Sequence, residues 1–151
     1  MQVEATFNDH GALKHFNSLP AHIDAAVKKA VDFAGAEAVR EMTGKEGLSK
    51  YSRHKKGTPT PSPAGDPPAQ VTTNLRKSVK KFPAHRIGFG SYSIKVMPTA
   101  IYAKAQELGL PERGLPARPF AEPARNRLRK NKRLERMFRH TMYQELKKHH
   151  G

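Results

Sequence analysis

Five prolines between residues 47 and 69 constrain the fold of this 151-residue chain more than any other feature of its sequence. Each proline fixes its own φ and lacks the backbone N–H that a helix or an inner strand needs. The sequence therefore predicts an extended arm over residues 44–70. Two interpretations are open, a flexible linker without function and an arm that a neighbouring subunit orders, and the few apolar side chains of the segment favour the second. The five prolines are Pro59, Pro61, Pro63, Pro67 and Pro68.

Before the arm, the pattern predicts one strand and one long helix. The first seven residues alternate between apolar and polar, which is typical of a strand. Asn17 and Ser18 offer a cap for a helix of about 25 residues that ends near Gly44 or Gly47. Three- and four-residue steps place one apolar set on a single helix face. The set is Ile23, Val27, Ala30, Val31, Ala34, Ala38 and Met42.

After the arm, the chain predicts a short helical turn and a hairpin. Residues 75–82 fit a helical turn that runs into a strand. Apolar residues then alternate from 87 to 96 on either side of Gly88 and Gly90, which predicts a hairpin with a glycine-bearing turn. Pro98 is expected to stop the second strand, because proline cannot donate to a sheet ladder.

The last third of the chain predicts a connection and a terminal helix. Residues 101–108 fit either a short helix or a strand, and residues 115–120 predict a short edge strand bounded by prolines. Residues 122–150 predict one basic helix with Pro123 in its first turn. Its apolar stripe is Leu128, Leu134, Phe138, Met142 and Leu146.

Together these elements predict a single α+β domain over residues 1–151, in which the long helix packs on a small antiparallel sheet. The helical stripe and the alternating strands each need a covering partner, and each supplies one for the other. The predicted contact joins Ile23, Val27, Val31, Ala34 and Ala38 of the helix to Ile87, Tyr92, Ile94 and Val96 of the sheet.

Charge is the strongest compositional signal. The chain has 28 Lys and Arg residues against 13 Asp and Glu residues, a net charge of +15. Such an excess attracts polyanions and repels further copies of the same chain. Nucleic acid, an anionic membrane surface and an acidic partner protein each fit this charge, and so does a solvated basic surface without a ligand.

The positive charge is concentrated in the terminal helix. Ten Lys and Arg residues stand against two Glu residues between Arg125 and His150, which leaves +8. Guanidinium groups suit phosphate, and no base-reading module accompanies them, so we expect a face toward nucleic acid that does not read sequence. A plain solvated face is the alternative. The predicted nucleic-acid-facing residues are Arg125, Arg127, Arg129, Lys130, Lys132, Arg133, Arg136 and Arg139.

No residue pattern indicates catalysis, a cofactor or a metal. The eight histidines are scattered, and none has the spacing of a zinc motif such as His-Glu-x-x-His. The glycines at 88 and 90 lack the lysine and helix start of a phosphate loop. We therefore expect no enzyme activity, no cofactor and no catalytic or metal-binding residue. Absent cysteine suits assembly in a reducing cytoplasm, and no apolar run is long enough to span a bilayer, so no membrane partner is expected.

Four blocks of sequence occur in an order that is typical of one protein family. Residues 62–68 are SPAGDPP and residues 72–79 are TTNLRKSV. Tyr102, Glu107 and Gly109 follow, and residues 116–124 are PARPFAEPA. This order resembles the tail-completion or neck proteins of long-tailed phages, a tail-component family related to the minor tail protein Z of phage lambda. The resemblance spans residues 62–124.

Two residues depart from the pattern of that family. Thr73 stands where a glycine is common, and Leu110 follows Gly109 where a threonine is common. These departures concern the geometry of two turns and leave the order of the blocks unchanged.

The resemblance implies a structural virion protein of the head–tail neck, assembled in the host cytoplasm, that completes the tail or joins tail to head around the DNA channel. It implies a homo-oligomer in the particle, with the tail terminator, the tail tube, the head-closure protein and DNA in the channel as partners. The implied structural and interface motif is Leu75, Arg76, Tyr102, Glu107, Gly109, Arg118, Pro119 and Phe120.

Three motif residues have expected roles. The flanking prolines fix the direction of Arg118, so a salt bridge to Glu107 or Asp66 is expected. Phe120 is expected to anchor the core at the foot of the last helix, and Tyr102 to be a core or interface aromatic.

Two other functions stay open. One is a small basic DNA- or RNA-binding protein without sequence preference, for which the basic helix is the working surface. The other, a toxin-type nuclease, is weaker because no acid–histidine set is visible.

Overall fold

The computed structural model describes residues 3–6 and 21–148, with side chains from Ile23 onward. It has the α+β architecture that the sequence predicts, with helices packed on a small antiparallel sheet. The predicted cap at Asn17 and Ser18 lies outside the described residues. The elements are β1 (Val3–Thr6), α1 (Ala21–Thr43), α2 (Asn74–Ser78), β2 (Val79–Lys81), β3 (His85–Gly88), β4 (Ser91–Pro98), α3 (Ala103–Leu108), a 3-10 turn (Pro111–Arg113), α4 (Ala121–Lys130) and α5 (Arg133–Lys147).

Strand β4 is the centre of the sheet, because the three other strands of the described chain all pair with it. β1 pairs with residues 93–96, β2 with residues 96–98 and β3 with residues 91–93, each antiparallel. The predicted hairpin is confirmed as β3–β4, and β4 ends at Pro98 as expected.

Ile87 is not part of the core, so its predicted contact with the long helix is wrong. Its side chain is 57% exposed. The register shifts between Arg86 and Gly88, so that Ile87 falls in a bulge of an edge strand. Sequence alternation assumes an unbroken ladder, and this bulge breaks it.

Helix α1 confirms the predicted apolar face. All seven predicted residues are buried, and Val31 has no exposed surface. Ile23, Val27 and Val31 pack with Tyr92 and Ile94 of β4. From the other side, the α5 residues Phe138, Met142 and Leu146 pack against the same cluster. The helix therefore lies between the sheet and the last helix.

A second apolar cluster joins the far end of α1 to α2, α3 and α4. Phe120 belongs to this cluster and has no exposed surface, which confirms its predicted role as a core anchor. Leu75 of α2, Ala103 of α3 and Leu128 of α4 pack in the same cluster.

The basic segment at the C-terminus is two helices and not the single helix that the sequence predicts. α4 ends at Lys130 and α5 begins at Arg133. Between them Lys132 has a φ of 47°, a left-handed conformation that is uncommon outside glycine. The break allows α4 to pack in the second cluster while α5 lies along α1.

The structure of residues 101–120 decides one open prediction and shows that another is wrong. Residues 103–108 form a helix and not a strand. The predicted edge strand over residues 115–120 is wrong, because only Leu115 forms a bridge, to Leu110. The backbone N–H of Arg118 donates to the Gln106 carbonyl instead (2.7 Å). We call residues 115–120 the strap.

The arm has neither helix nor strand, as its prolines predict. That neighbours mainly order the arm stays a prediction for its exposed middle, but both of its ends are docked on the same chain. Leu48, Ser62, Pro67 and Pro68 are buried against the same chain, whereas residues 55–61 are exposed. Docking uses backbone carbonyls and proline rings, which a count of apolar side chains overlooks.

No helix in the part of the chain that the structure describes is long and apolar enough to cross a membrane.

Candidate functional site

Glu107 joins α3 to the start of α4 and is the centre of the motif. Its buried carboxylate accepts the backbone N–H groups of Phe120 (2.8 Å), Ala121 (3.1 Å) and Glu122 (3.0 Å). The first N–H groups of a helix have no partner within that helix, and a negative charge there is favourable. Glu107 therefore caps α4 from another element. The resemblance singled out this residue, but the sequence did not indicate its role.

Arg118 does not form the predicted salt bridge to Glu107 or Asp66. Its Nη1 donates to the Ser62 carbonyl (2.7 Å) and lies 3.2 Å from the Ser62 hydroxyl. That hydroxyl donates to the Pro67 carbonyl (2.6 Å). Glu107 is not its partner because its carboxylate serves the backbone of α4. Arg118 thus ties the strap to the loop of residues 62–68 through a carbonyl group, a partner that no charge pattern reveals.

Asp66, the other predicted partner of Arg118, closes the base of the arm. It accepts hydrogen bonds from the Tyr51 hydroxyl and from Lys50 Nζ (3.1 Å). The hydrogen bond from Tyr51, followed by that from Lys50, holds the pKa of Asp66 below its usual value. The same bonds raise the pKa values of Tyr51 and Lys50.

Gly109 makes the close approach between α3 and the strap. Its φ is 72°, and a Cβ there would lie 2.7 Å from the nitrogen of Ala117 and 2.8 Å from the carbonyl oxygen of Leu115. Only glycine fits this position without a shift of backbone. Pro119 in the strap is half-buried.

Three other motif residues have separate positions. Leu75 is buried in the second cluster. Arg76 is exposed and donates to the Ser49 hydroxyl (3.1 Å). Tyr102 is 42% exposed, so it is not a core residue; whether it lies in an interface stays a prediction.

Arg127 and Arg133 are each paired with an acidic residue of α1. Arg127 Nε pairs with Glu41, and Arg133 Nε lies 2.7 Å from the carboxylate of Glu37. Glu37 is buried. Both arginines therefore dock α4 and α5 on α1. The sequence signal for this docking is the pair of acids Glu37 and Glu41 at four-residue spacing on α1, a spacing that is also common on solvated helix faces.

The other end of α5 is also paired with α1. Lys29 Nζ lies 2.5 Å from Glu145, which also pairs with Lys148 (2.8 Å). Hydrogen bonds from Lys148 and from Lys29 lower the pKa of Glu145 to about 2.

Three other predicted cations, which we call the outer arginines, are paired with groups close to them in the sequence. Arg125 lies 3.8 Å from Glu122, and Arg139 lies 2.6 Å from Glu135. Arg136 donates to the Asn131 carbonyl (2.9 Å). All three side chains are exposed.

Arg129, Lys130 and Lys132 form a free basic corner where α4 meets α5. All three are exposed, and none has an ion pair within residues 21–148. The left-handed Lys132 lies at the turn itself. The structure thus divides the predicted basic surface into docking arginines, outer arginines and this basic corner.

Asp24 is a further charged contact, which fixes α1 to the hairpin. It accepts hydrogen bonds from the Tyr92 hydroxyl (2.6 Å) and the Gly90 N–H (2.9 Å), and Arg86 lies 3.4 Å away. Desolvation opposes ionisation, but the bonds from Tyr92 and Gly90 and the charge of Arg86 hold the pKa of Asp24 below its usual value. The bond to Asp24 also raises the pKa of Tyr92.

Among the side chains that the structure describes, no group of three or more His, Asp or Glu residues is placed to hold a metal ion. A cleft between α1 and α5 has a volume of about 870 Å³.

Comparisons of this chain with protein-family models, with curated proteins and with solved structures found no match.

Proposed function

We propose that this protein is a structural, non-enzymatic component of the head–tail neck of a long-tailed phage. It completes the tail or joins tail to head, as several copies around the DNA channel, beside the tail terminator, tail tube and head-closure protein. In this role it assembles in the host cytoplasm and becomes part of the virion.

The observation that carries the proposal is the contact between the blocks on which the resemblance depends. Residues 62–68 and the strap are about 50 positions apart in sequence. Arg118 nevertheless binds Ser62, and the Gly65 N–H donates to the Ala117 carbonyl (2.9 Å). An accidental match of separate segments gives no reason for such contacts, so the contacts support a shared structural unit.

The chemistry of these residues supports a structural role. Glu107, Gly109, Arg118 and Phe120 all hold backbone or core in place. Their polar groups serve other parts of the same chain, as the framework of an assembled particle requires.

The basic corner supports a location beside DNA. Arg129, Lys130 and Lys132 are exposed and have no ion pair in the described chain. Neighbouring like charges repel, and a polyanion that releases counterions offsets this cost. A ring of copies that presents this corner to the channel attracts DNA of any sequence through its phosphates.

Disruption of the gene in the genome that carries it tests the proposal. Electron microscopy of the lysate is expected to reveal filled heads and unattached or incomplete tails, and the intact gene supplied in trans is expected to restore joined particles. Portal, capsid and tail-tube genes are expected beside the gene. Normal joined particles after disruption contradict the proposal.

The second candidate is a basic nucleic-acid-binding protein without sequence preference, and the basic corner is the observation that favours it. In that case, disruption leaves particles intact and the protein sediments with nucleic acid in the cell. Immunogold labelling of the protein at the head–tail joint favours the neck function over this second candidate.

A further inference from the structure

The groove between α1 and α5 has an apolar floor that the fold leaves uncovered. Phe33 lies on the outer side of α1 with 47% of its surface exposed. Met137 of α5 is half-buried and lines the same groove. The cleft beside this aromatic ring has a volume of about 870 Å³, which is within the range of binding sites.

The rim of the groove is positive. Lys29, Arg133 and Arg136 line it with Glu145, and Glu37 pairs with Arg133 beside it, so that three cations stand against two carboxylates and leave a formal charge of +1. Arg133 is turned to Glu37 and Lys29 to Glu145, but their side chains stay 41% and 45% exposed. His140 is an additional exposed donor along the same wall.

The dimensions fit a helix. α5 has 15 residues, which corresponds to about 22 Å at 1.5 Å per residue. Two packed helices with an apolar seam between them accept a third helix by the same ridge-and-groove packing. A groove that runs along this helix has room for three or four turns of an amphipathic partner, whose apolar side chains meet Phe33 and Met137.

We propose that the groove between α1 and α5 binds an acidic amphipathic helix of a partner protein. An apolar side chain of that helix covers Phe33 and Met137, and its flanking carboxylates lie at Arg136, Lys29 and His140. This names the class of neighbour for the proposed neck protein and rests on that function only in requiring a protein neighbour.

Two other occupants fit the groove less well. A second copy brings its own net charge of +15, which opposes close approach. Duplex DNA satisfies the rim but leaves Phe33 and Met137 uncovered, since phosphate contacts gain nothing from an apolar floor. Only the acidic helix uses both properties.

The proposal is tested by fluorescence anisotropy, in which two labelled synthetic peptides are each titrated with the full-length protein. The first peptide has about 16 residues, enough for about four turns, with leucines at helical spacing on one face and glutamates elsewhere. The second has the same composition with its leucines dispersed around the helix. The protein variants are Phe33→Ser and Met137→Ser, and Tyr143→Ser is the matched control because Tyr143 is exposed on α5 but does not line the groove.

The patterned peptide is expected to bind at least about tenfold more tightly than the dispersed one, and Phe33→Ser or Met137→Ser to remove at least about tenfold of that affinity. Tyr143→Ser is expected to leave it unchanged. Circular dichroism verifies that each variant is folded. Equal binding of the two peptides, or full binding by Phe33→Ser, overturns the proposal.

Two further measurements identify the other occupants. A dimer that Phe33→Ser dissociates in analytical ultracentrifugation makes the groove a self-interface and overturns the proposal. So does a loss of duplex-DNA affinity in Phe33→Ser equal to the loss of peptide affinity. Because the peptide assay needs no phage particle, its failure leaves the proposed neck function to be judged by gene disruption alone.

Discussion

The carboxylate of Glu107 lies 2.8 Å from the backbone nitrogen of Phe120, so one buried side chain caps the helix that directly follows the core anchor. The anchor and the cap lie 13 residues apart in sequence. The position of α4 therefore depends on α3, and both depend on the strap between them.

Glu107→Gln is expected to lower the free energy of unfolding by about 1–3 kcal/mol, because an amide nitrogen replaces an acceptor and leaves a buried N–H without a partner. Urea denaturation followed by circular dichroism measures the change. Glu112→Gln, on the exposed 3-10 turn, is the control and should stay within about 0.5 kcal/mol of the parent. Equal stability of the two variants excludes the capping role.

Replacement of the basic corner by Arg129→Gln, Lys130→Gln and Lys132→Gln together is expected to flatten the salt dependence of duplex-DNA binding. Each lost phosphate contact lowers the slope of log K against log salt by about 0.9, so the combined loss is up to about 3. Fluorescence anisotropy at several salt concentrations, with two duplexes of unrelated sequence, measures it.

The matched control for the basic corner is the pair Arg127→Gln and Arg133→Gln, which removes the docking arginines. This pair is expected to reduce thermal stability and to change the salt slope less than the basic-corner variant. A larger change of the salt slope in this pair than in the basic-corner variant would mean that the docking arginines, and not the basic corner, contact DNA.

Val31→Asp is expected to cost at least about 3 kcal/mol of unfolding free energy, because the carboxylate replaces an apolar group without exposed surface. Chemical denaturation measures the loss. Ala25→Asp, on the exposed side of α1, serves as the control. Comparable effects at the two positions would contradict the packing of α1 on β4.

The contact between Asp24 and Tyr92 predicts a dependence of stability on pH. Because the pKa of Asp24 is lowered in the folded chain, its contribution is complete above the usual value of 3.8 and is lost as pH falls through the folded value. Thermal unfolding between about pH 2 and pH 6 is therefore expected to be less pH-dependent in Asp24→Asn than in the parent. Parallel profiles of the two proteins would contradict this contact.

At alkaline pH, the dependence of stability on pH has the opposite sign. The pKa of Tyr92 is raised, so its contribution is present below the usual value of 10.0 and is lost as pH rises through the folded value. Tyr92→Phe is expected to remove this loss while it keeps the ring in the core. An unchanged alkaline profile in Tyr92→Phe would assign the loss to another group.

Local patterns predicted the elements that depend on local physics. The apolar stripe of α1, the hairpin and the end of β4 at Pro98 follow from periodicity and from the chemistry of proline. The break at Lys132 does not, because it arises from two distant clusters that hold α4 and α5 in different directions.

The sequence predicted which residues belong to the candidate site, but it did not predict which groups they contact. The resemblance selected Glu107 and Arg118, but their partners are backbone groups, which carry no sequence signal. Charge counting assigned Arg127 and Arg133 to nucleic acid, because net charge does not distinguish an exposed cation from one held by an acid on another helix.

The pinned base of the arm sets a length scale for assembly. Tyr51 and Lys50 hold Asp66, so the 14 residues between positions 51 and 66 form a closed loop. Half of that contour is seven residues, which reach at most about 25 Å when fully extended. A neighbouring copy that contacts the tip of the arm must lie within that radius, and the spacing of subunits in any ring built through this loop is bounded accordingly.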